Sequence, residues 1–251
     1  MDAAPCVVGI DIAASRPCVA VALRCGRVLE AAAWKEADEG EPGDRERLFE
    51  WLQGIAPAVV GIDAPQRPKR AFPDGRRHSR VCDAELLHRR ISVYQVPTRA
   101  EAGGARHAWM HTGWEYFKAL GRRGYEPPAD GSLPGGMGQA PAVLEVYPHA
   151  SFVTLLGGTP PPKSTRVGLH LRVLTLRRLG VHWDEYFDHD SLDALMAAFT
   201  AWRFYQGRAT ALGDGRDGSI WLPVTGHELR DTYGRLTPTE ARTAVSRLEP
   251  H

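Results

Sequence analysis

The stretch CVVGIDIA, residues 6–13, is an apolar, β-branched run that ends in an acid, and PAVVGIDAP, residues 57–65, repeats the pattern. Short apolar runs of this kind are typical of buried strands. Between them, DRERLFEWLQGI, residues 44–55, has apolar residues at helical spacing. A helix between two strands implies a parallel crossover. If the two strands are neighbours, Asp11 and Asp63 meet at the same edge of the sheet, where ligands bind in α/β proteins.

The rest of the chain supplies further strands and helices around this unit. PCVAVAL and RVLEAAAW follow the first strand after short turn-like joints, so the three predict an antiparallel meander. AVLEV, residues 142–146, predicts a short strand followed by a helix after Pro148, and DGSIWLP, residues 217–223, predicts an edge strand. Further helices are predicted over residues 80–90, 105–124, 166–180 and 190–207. The sequence therefore predicts an α/β fold.

Composition bounds the class of protein. The chain has 251 residues, 43% of them hydrophobic and 24% charged, with a formal net charge of +1, as in an ordinary globular domain. A near-neutral net charge does not by itself indicate nucleic-acid binding. An anionic partner would therefore need a local basic patch, such as the run over residues 67–80. Four cysteines without CxxC spacing predict a reducing, cytoplasmic setting. No apolar run is long enough for a membrane span, and no signal segment opens the chain.

Four acids lie in apolar surroundings. Asp11, Asp63 and Glu145 interrupt or end apolar strands, and Asp193 lies on the apolar face of the helix over 190–207. A buried carboxylate is costly unless its pKa shifts or a cation compensates it. Asp190 precedes Asp193 by three residues, so both can face one site, although Asp190 also fits a helix cap. The alternative for each acid is purely structural: capping a helix or accepting loop N–H groups.

Clustered carboxylate oxygens favour Mg²⁺ or Mn²⁺ as the cofactor. Two such ions can activate water and stabilise the leaving oxygen in phosphodiester cleavage. Cationic side chains suit phosphate contacts, because Arg matches phosphate oxygens in pairs and Lys supplies a point charge. The candidate phosphate-binding cations are Arg99, Lys163 and Arg172, and the alternative for each is a solvated charge. Arg80 and Asp83, three residues apart, are further candidates for the substrate site, and their alternative is a surface ion pair on one helix turn.

Five motifs carry a family resemblance: VVGIDIA, VVGIDAP, RVCDAELLHRR, LEVYPHASF and DSLDALMAAFTA. Together they resemble the bacterial and archaeal domain-of-unknown-function family four-two-nine, described as predicted ribonuclease H-like nucleases. The resemblance covers nearly the whole chain. It implies a single domain over residues 1–251 with a mixed sheet, helices on both faces and a helical insertion over about residues 67–140.

The resemblance also implies roles for the acids. Asp190 and Asp193 are similar to the Asp-x-x-Asp-Ala pattern of Holliday-junction resolvases, and Asp11 and Asp63 match the acids on their first and fourth strands. The implied activity is metal-dependent hydrolysis of DNA or RNA. Asp11, Asp63 and Asp193 would hold the metal, while Glu145 and Asp190 would add a ligand or orient the water.

Two other functions remain open. The first is an actin-like ATPase or phosphotransferase, whose first strand also ends in Gly-Ile-Asp. Against it, the turn DIAASRP, residues 11–17, lacks the glycine that lets backbone approach a phosphate closely. The second is a non-catalytic binding module on the same fold, because a fold alone does not establish an activity.

Overall fold

The protein, described by a computed structural model over residues 4–34, 45–71, 79–128 and 141–249, is built around a seven-stranded mixed sheet. The strand order is β3-β2-β1-β4-β5-β7-β6. The strands are β1 Cys6–Asp11, β2 Cys18–Arg24, β3 Arg27–Trp34, β4 Val59–Asp63, β5 Ala142–Val146, β6 Thr210–Leu212 and β7 Ile220–Leu222. The basic run over 67–80 lies partly outside the described residues, as does most of the Gly/Pro-rich stretch over 127–141, which is predicted to be a loop.

Strand pairing confirms the meander and the parallel crossover. β1, β2 and β3 pair antiparallel, while β1, β4, β5 and β7 are successive parallel neighbours. The strand predicted within residues 217–223 is confirmed as β7, but its predicted edge position is wrong, because β6 pairs antiparallel on its outer side. β6 has three residues, too few to produce a periodic pattern in the sequence.

Seven α-helices lie within the described ranges. They are α1 Arg45–Ile55, α2 Val81–His88, α3 Ala108–Gly121, α4 Pro148–Leu156, α5 Arg166–Arg178, α6 His189–Tyr205 and α7 Pro238–Ser246. The first six match predicted helices, but α7 was missed. Its start carries a recognisable signal, since Thr237 and Glu240 form a capping box around Pro238. No helix among these is long and apolar enough to cross a membrane.

Helices cover both faces of the sheet. On one face, α1 and α3 pack against alternate residues of β1 and β4, including Ile10 and Ile62. On the other face, α6 packs against the intervening residues, including Val7 and Val59. α3 lies within the predicted insertion and supplies Tyr116 to the sheet's core. The mixed α/β architecture with helices on both faces is therefore confirmed.

Two glycines let α6 approach the sheet closely. A Cβ atom on Gly9 would lie 2.0 Å from the Ala194 carbonyl oxygen, and one on Gly61 would lie 2.5 Å from the Ala197 carbonyl oxygen. Both glycines belong to the repeated Gly-Ile-Asp tripeptides. The backbone of α6 therefore rests directly on β1 and β4, and this contact sets the position of Asp193 relative to the strand ends.

Candidate active site

Three carboxylates meet above the ends of β1 and β4. Asp11 and Asp63 are register partners at the last position of their parallel strands. Because side chains alternate along a strand, both point to the same face as Gly9 and Gly61, the face that α6 covers. Asp193 lies in the second turn of α6 and is 4% exposed. The structure thus brings together the three residues predicted as metal ligands.

Burial and neighbouring carboxylate charges raise the pKa of all three carboxyl groups. Burial, followed by the Asp193 charge, raises the pKa of Asp11 to about 7 despite the opposing Arg16 charge. Burial and the Asp11 and Asp193 charges raise the pKa of Asp63 well above its usual value. The pKa of Asp193 is also raised, chiefly by burial, although Lys163 opposes the shift. Like charges crowded in a buried site favour protonation or cation binding.

Two cationic side chains compensate part of this charge. The Lys163 ammonium contacts Oδ2 of Asp193, which raises the pKa of Lys163 against the effect of its burial. Arg16, in the turn between β1 and β2, contacts Asp11 through Nη2 at 3.2 Å and Asp190 through Nη1. Arg16 was not predicted from the sequence, where it is one cation in a short turn.

Asp190 belongs to this charge network and does not cap α6. The N-cap is Asp188, whose carboxylate accepts from the Ser191 backbone N–H at 2.8 Å. The cap interpretation of Asp190 is therefore wrong. Asp190 contacts Arg16 and also His189, whose Nδ1 lies 2.6 Å from Oδ1. Its charge also helps to raise the pKa of Asp11 and of Asp193, so it acts on the cluster both directly and through Arg16.

Glu145 and two predicted substrate-binding residues form a separate buried group. Arg80 donates to Glu145 at 2.7 and 2.9 Å and to Asp83 at 2.8 and 2.9 Å. Glu145 also accepts from the Gln66 backbone N–H at 2.7 Å. It pairs in register with Ile62, one position before Asp63, and so points to the opposite face of the sheet. This group ties α2 to β5. It lies outside the cleft that contains Asp11 and Asp193, but it lines a small cavity together with Asp63.

The remaining predicted cations lie in different places. Arg172 is buried on α5, where its Nη1 donates to the Pro161 and Gly168 carbonyls at 3.1 and 3.0 Å. It lines the same cleft as the aspartates. Arg99 is exposed and does not line that cleft. In the described part of the basic run over 67–80, Lys69 and Arg70 contact acids, Glu101 and Asp217 respectively.

A cleft of about 930 Å³ opens over the carboxylates. Its lining includes aromatic side chains, four cations and one histidine. These are Tyr94, Trp109, Tyr147, Arg16, Lys163, Arg172, Arg235 and His149. Burial and the nearby positive charges of Arg172 and Lys163 lower the pKa of His149 to about 4, so this imidazole is neutral at physiological pH. Neither these aromatic residues nor Arg235 was predicted from the sequence as part of the site.

The donor chemistry of the site fits a divalent metal. Asp11, Asp63 and Asp193 offer only carboxylate oxygens, the ligands that Mg²⁺ and Mn²⁺ prefer. Their raised pKa values mean that the ionised carboxylates are disfavoured unless a proton or a cation neutralises them. Across the described ranges no group of three or more His, Cys, Asp or Glu side chains is already arranged as a metal site. Lys163 and Arg16 instead contact carboxylate oxygens of the cluster.

Comparison with curated proteins and with solved structures finds no significant match to this chain. A family model described as "Protein of unknown function (DUF429)" matches residues 9–217. This range includes Asp11, Asp63 and Asp193, together with the Arg80 group. The match spans well over half of the sequence, and the chain therefore belongs to the DUF429 family.

Proposed function

We propose that this protein is a divalent-metal-dependent nuclease of the ribonuclease H-like type. One observation carries the proposal: Asp11, Asp63 and Asp193 converge from two strands and a helix, with raised pKa values, in a cleft lined by cations. Three buried carboxylates close together destabilise the fold unless a bound cation compensates their charge. Perturbed carboxyl groups in a cleft are typical of catalytic sites.

In this proposal Asp11, Asp63 and Asp193 would hold Mg²⁺ or Mn²⁺. The bound metal would supply an activated water and stabilise the leaving oxygen of a phosphodiester. Lys163 and Arg172 border the same carboxylates, and their positive charges suit the phosphate of a substrate.

His149 lines the same cleft. Its lowered pKa keeps the imidazole neutral at physiological pH but also makes it a weak base, so we assign it no proton-transfer step. Asp190 holds Arg16 beside Asp11, and its own charge also acts on Asp11 and Asp193. We assign Glu145 to the packing of β5 and α2, since Arg80 and the Gln66 backbone N–H already engage its carboxylate.

The test is a nuclease assay on the purified protein with labelled single-stranded, duplex, hybrid and branched substrates, in Mg²⁺ or Mn²⁺. We expect cleavage that a chelator abolishes and that Asp11→Asn and Asp193→Asn each reduce at least 100-fold. Asp184→Asn is the matched control, because Asp184 is an exposed acid outside the cleft. Activity that survives both cleft substitutions would refute the proposal.

Metal titration by calorimetry gives a second readout that does not depend on finding the right substrate. Wild-type protein and Asp184→Asn should bind Mn²⁺ equally, whereas Asp11→Asn should bind it more weakly. Hydrolysis of ATP in place of a phosphodiester, lost with the same substitutions, would favour the actin-like ATPase alternative.

A further inference from the structure

An aromatic cluster forms part of the cleft lining. The Tyr94 ring lies edge-on to Trp109, with ring centroids 5.5 Å apart, and edge-on to Tyr147, with centroids 6.4 Å apart. All three residues line the cleft that contains the aspartates. Tyr94 is nevertheless 64% exposed. A large ring held by two aromatic neighbours yet left open to a cleft is a surface on which a planar group can stack.

The aromatic cluster lies next to the carboxylates. Tyr147 directly follows β5, and its pKa is raised by burial and then by nearby negative charges that include those of Asp63 and Asp193. That hydroxyl donates to the Ser92 carbonyl at 3.0 Å, which ties β5 to the segment that carries Tyr94. A planar group stacked on Tyr94 would therefore lie beside the proposed reaction centre.

Arg235 adds a positive charge to the same cleft. Its backbone is fixed, because the Thr159 N–H donates to Gly234 at 2.8 Å and the Leu236 N–H donates to Thr159 at 2.9 Å. The Arg235 side chain is exposed and has no hydrogen bond or ion pair with any residue in the described ranges. Arginine pairs well with phosphate oxygens, so this side chain suits a phosphodiester backbone.

We propose that the cleft takes single-stranded nucleic acid, with an unpaired base stacked on Tyr94 and a backbone phosphate at Arg235. This inference rests on the proposed function, which places a phosphodiester over the aspartates. In a duplex the faces of the bases are covered by their neighbours, so a ring can stack only on a base that is unpaired or extruded. The volume of about 930 Å³ is at the upper end of the range for small-molecule sites, which leaves room for more than a single compact ligand.

The experiment measures binding by fluorescence anisotropy in a chelator, where metal-dependent cleavage cannot occur. The probes are a labelled single strand, its duplex, and a single strand of the same length with abasic sites throughout. Wild-type protein should bind the single strand most tightly. Tyr94→Ala should weaken that binding about 5- to 150-fold, the range for loss of one base–aromatic stack. Tyr94→Phe keeps the ring and should bind like wild type.

Two further variants separate stacking from charge. Tyr186→Ala is the matched control, because Tyr186 is 84% exposed but lies outside the cleft, and it should bind like wild type. Arg235→Ala should weaken binding to the abasic strand as well and reduce the salt dependence by about one phosphate contact. Tyr94→Ala should leave binding to the abasic strand unchanged.

The inference fails if wild-type protein binds duplex as tightly as single strand, if Tyr94→Ala binds the single strand like wild type, or if no probe binds. Its failure is distinguishable from that of the proposed function. Binding that depends on Tyr94 without any metal-dependent cleavage would support a single-strand binding site and refute the nuclease. Cleavage that depends on Asp11 and is unaffected by Tyr94→Ala would support the nuclease and refute base stacking on Tyr94.

Discussion

The substitution Gly9→Ala tests whether contact between α6 and the sheet builds the carboxylate cluster. The new Cβ atom would lie 2.0 Å from the Ala194 carbonyl oxygen and 2.1 Å from the Ala198 backbone nitrogen. Cβ atoms in proteins essentially never approach other atoms closer than 3.0 Å, so α6 or β1 must move by about 1 Å. The obstacles are backbone atoms of a 17-residue helix, which cannot rotate away as a side chain would.

The size of the effect follows from this geometry. Overpacking a well-packed core costs about 1–3 kcal/mol, and rigid obstacles on two sides place Gly9→Ala near the upper end, at about 3 kcal/mol. For a chain of this size that corresponds to a fall in Tm of about 6–12 °C. The measurement is urea unfolding followed by circular dichroism, with a thermal scan alongside. The same shift moves Asp193 away from Asp11, so Mn²⁺ affinity should fall too.

Gly54→Ala is the matched control, because the same methyl group is added with opposite consequences. Gly54 lies in α1, and a Cβ there would meet no atom within 4 Å. Replacing a helical glycine by alanine should stabilise the protein by up to about 1 kcal/mol. If Gly9→Ala is as stable as wild type, the close packing of α6 on β1 is not what holds Asp193 in place.

Three further predictions concern charge. Because the pKa of Asp11 is raised from 3.8 to about 7 in the folded state, the native state binds more protons there, so this group makes stability fall as pH rises from about 4 to 7. In Asp11→Asn this contribution should be absent. The free energy of unfolding, measured with urea at pH 5 and pH 8, should therefore fall by about a few kcal/mol less than in the wild type. An equal fall in the two proteins would contradict the prediction. Arg80→Met should destabilise the fold by about 3–5 kcal/mol in the same assay, since it leaves Glu145 buried without its cation; a loss below 1 kcal/mol would refute the structural role. Lys163→Met should bind Mn²⁺ several-fold more tightly in calorimetry, because the ammonium no longer competes for Asp193, whereas unchanged affinity would show that Lys163 does not occupy a ligand position.

Sequence reasoning succeeded where local pattern and chain order decide the outcome. The repeated apolar runs before Asp11 and Asp63, with a helix between them, predicted two parallel strands, and the register pairs the two acids. β6 was not predicted, because its three residues are too few to show an alternating apolar pattern. α7 was not predicted either, although the capping box that starts it is visible in the sequence. Sequence reasoning also misplaced the cap of α6 by two residues, because Asp188 and Asp190 are chemically equivalent candidates.

Apolar periodicity and chain connectivity are sufficient to predict the α/β class, the parallel pairing of β1 and β4 and the convergence of their terminal acids. The tertiary structure was needed to establish which charged residues share a site. It placed Glu145 on the opposite face from Asp63, because side chains alternate along neighbouring strands in register. It also brought Arg16, Tyr94 and Arg235 to one cleft from distant parts of the chain. Local sequence patterns do not predict such long-range contacts, because the contacts depend on how the helices and loops pack on the sheet.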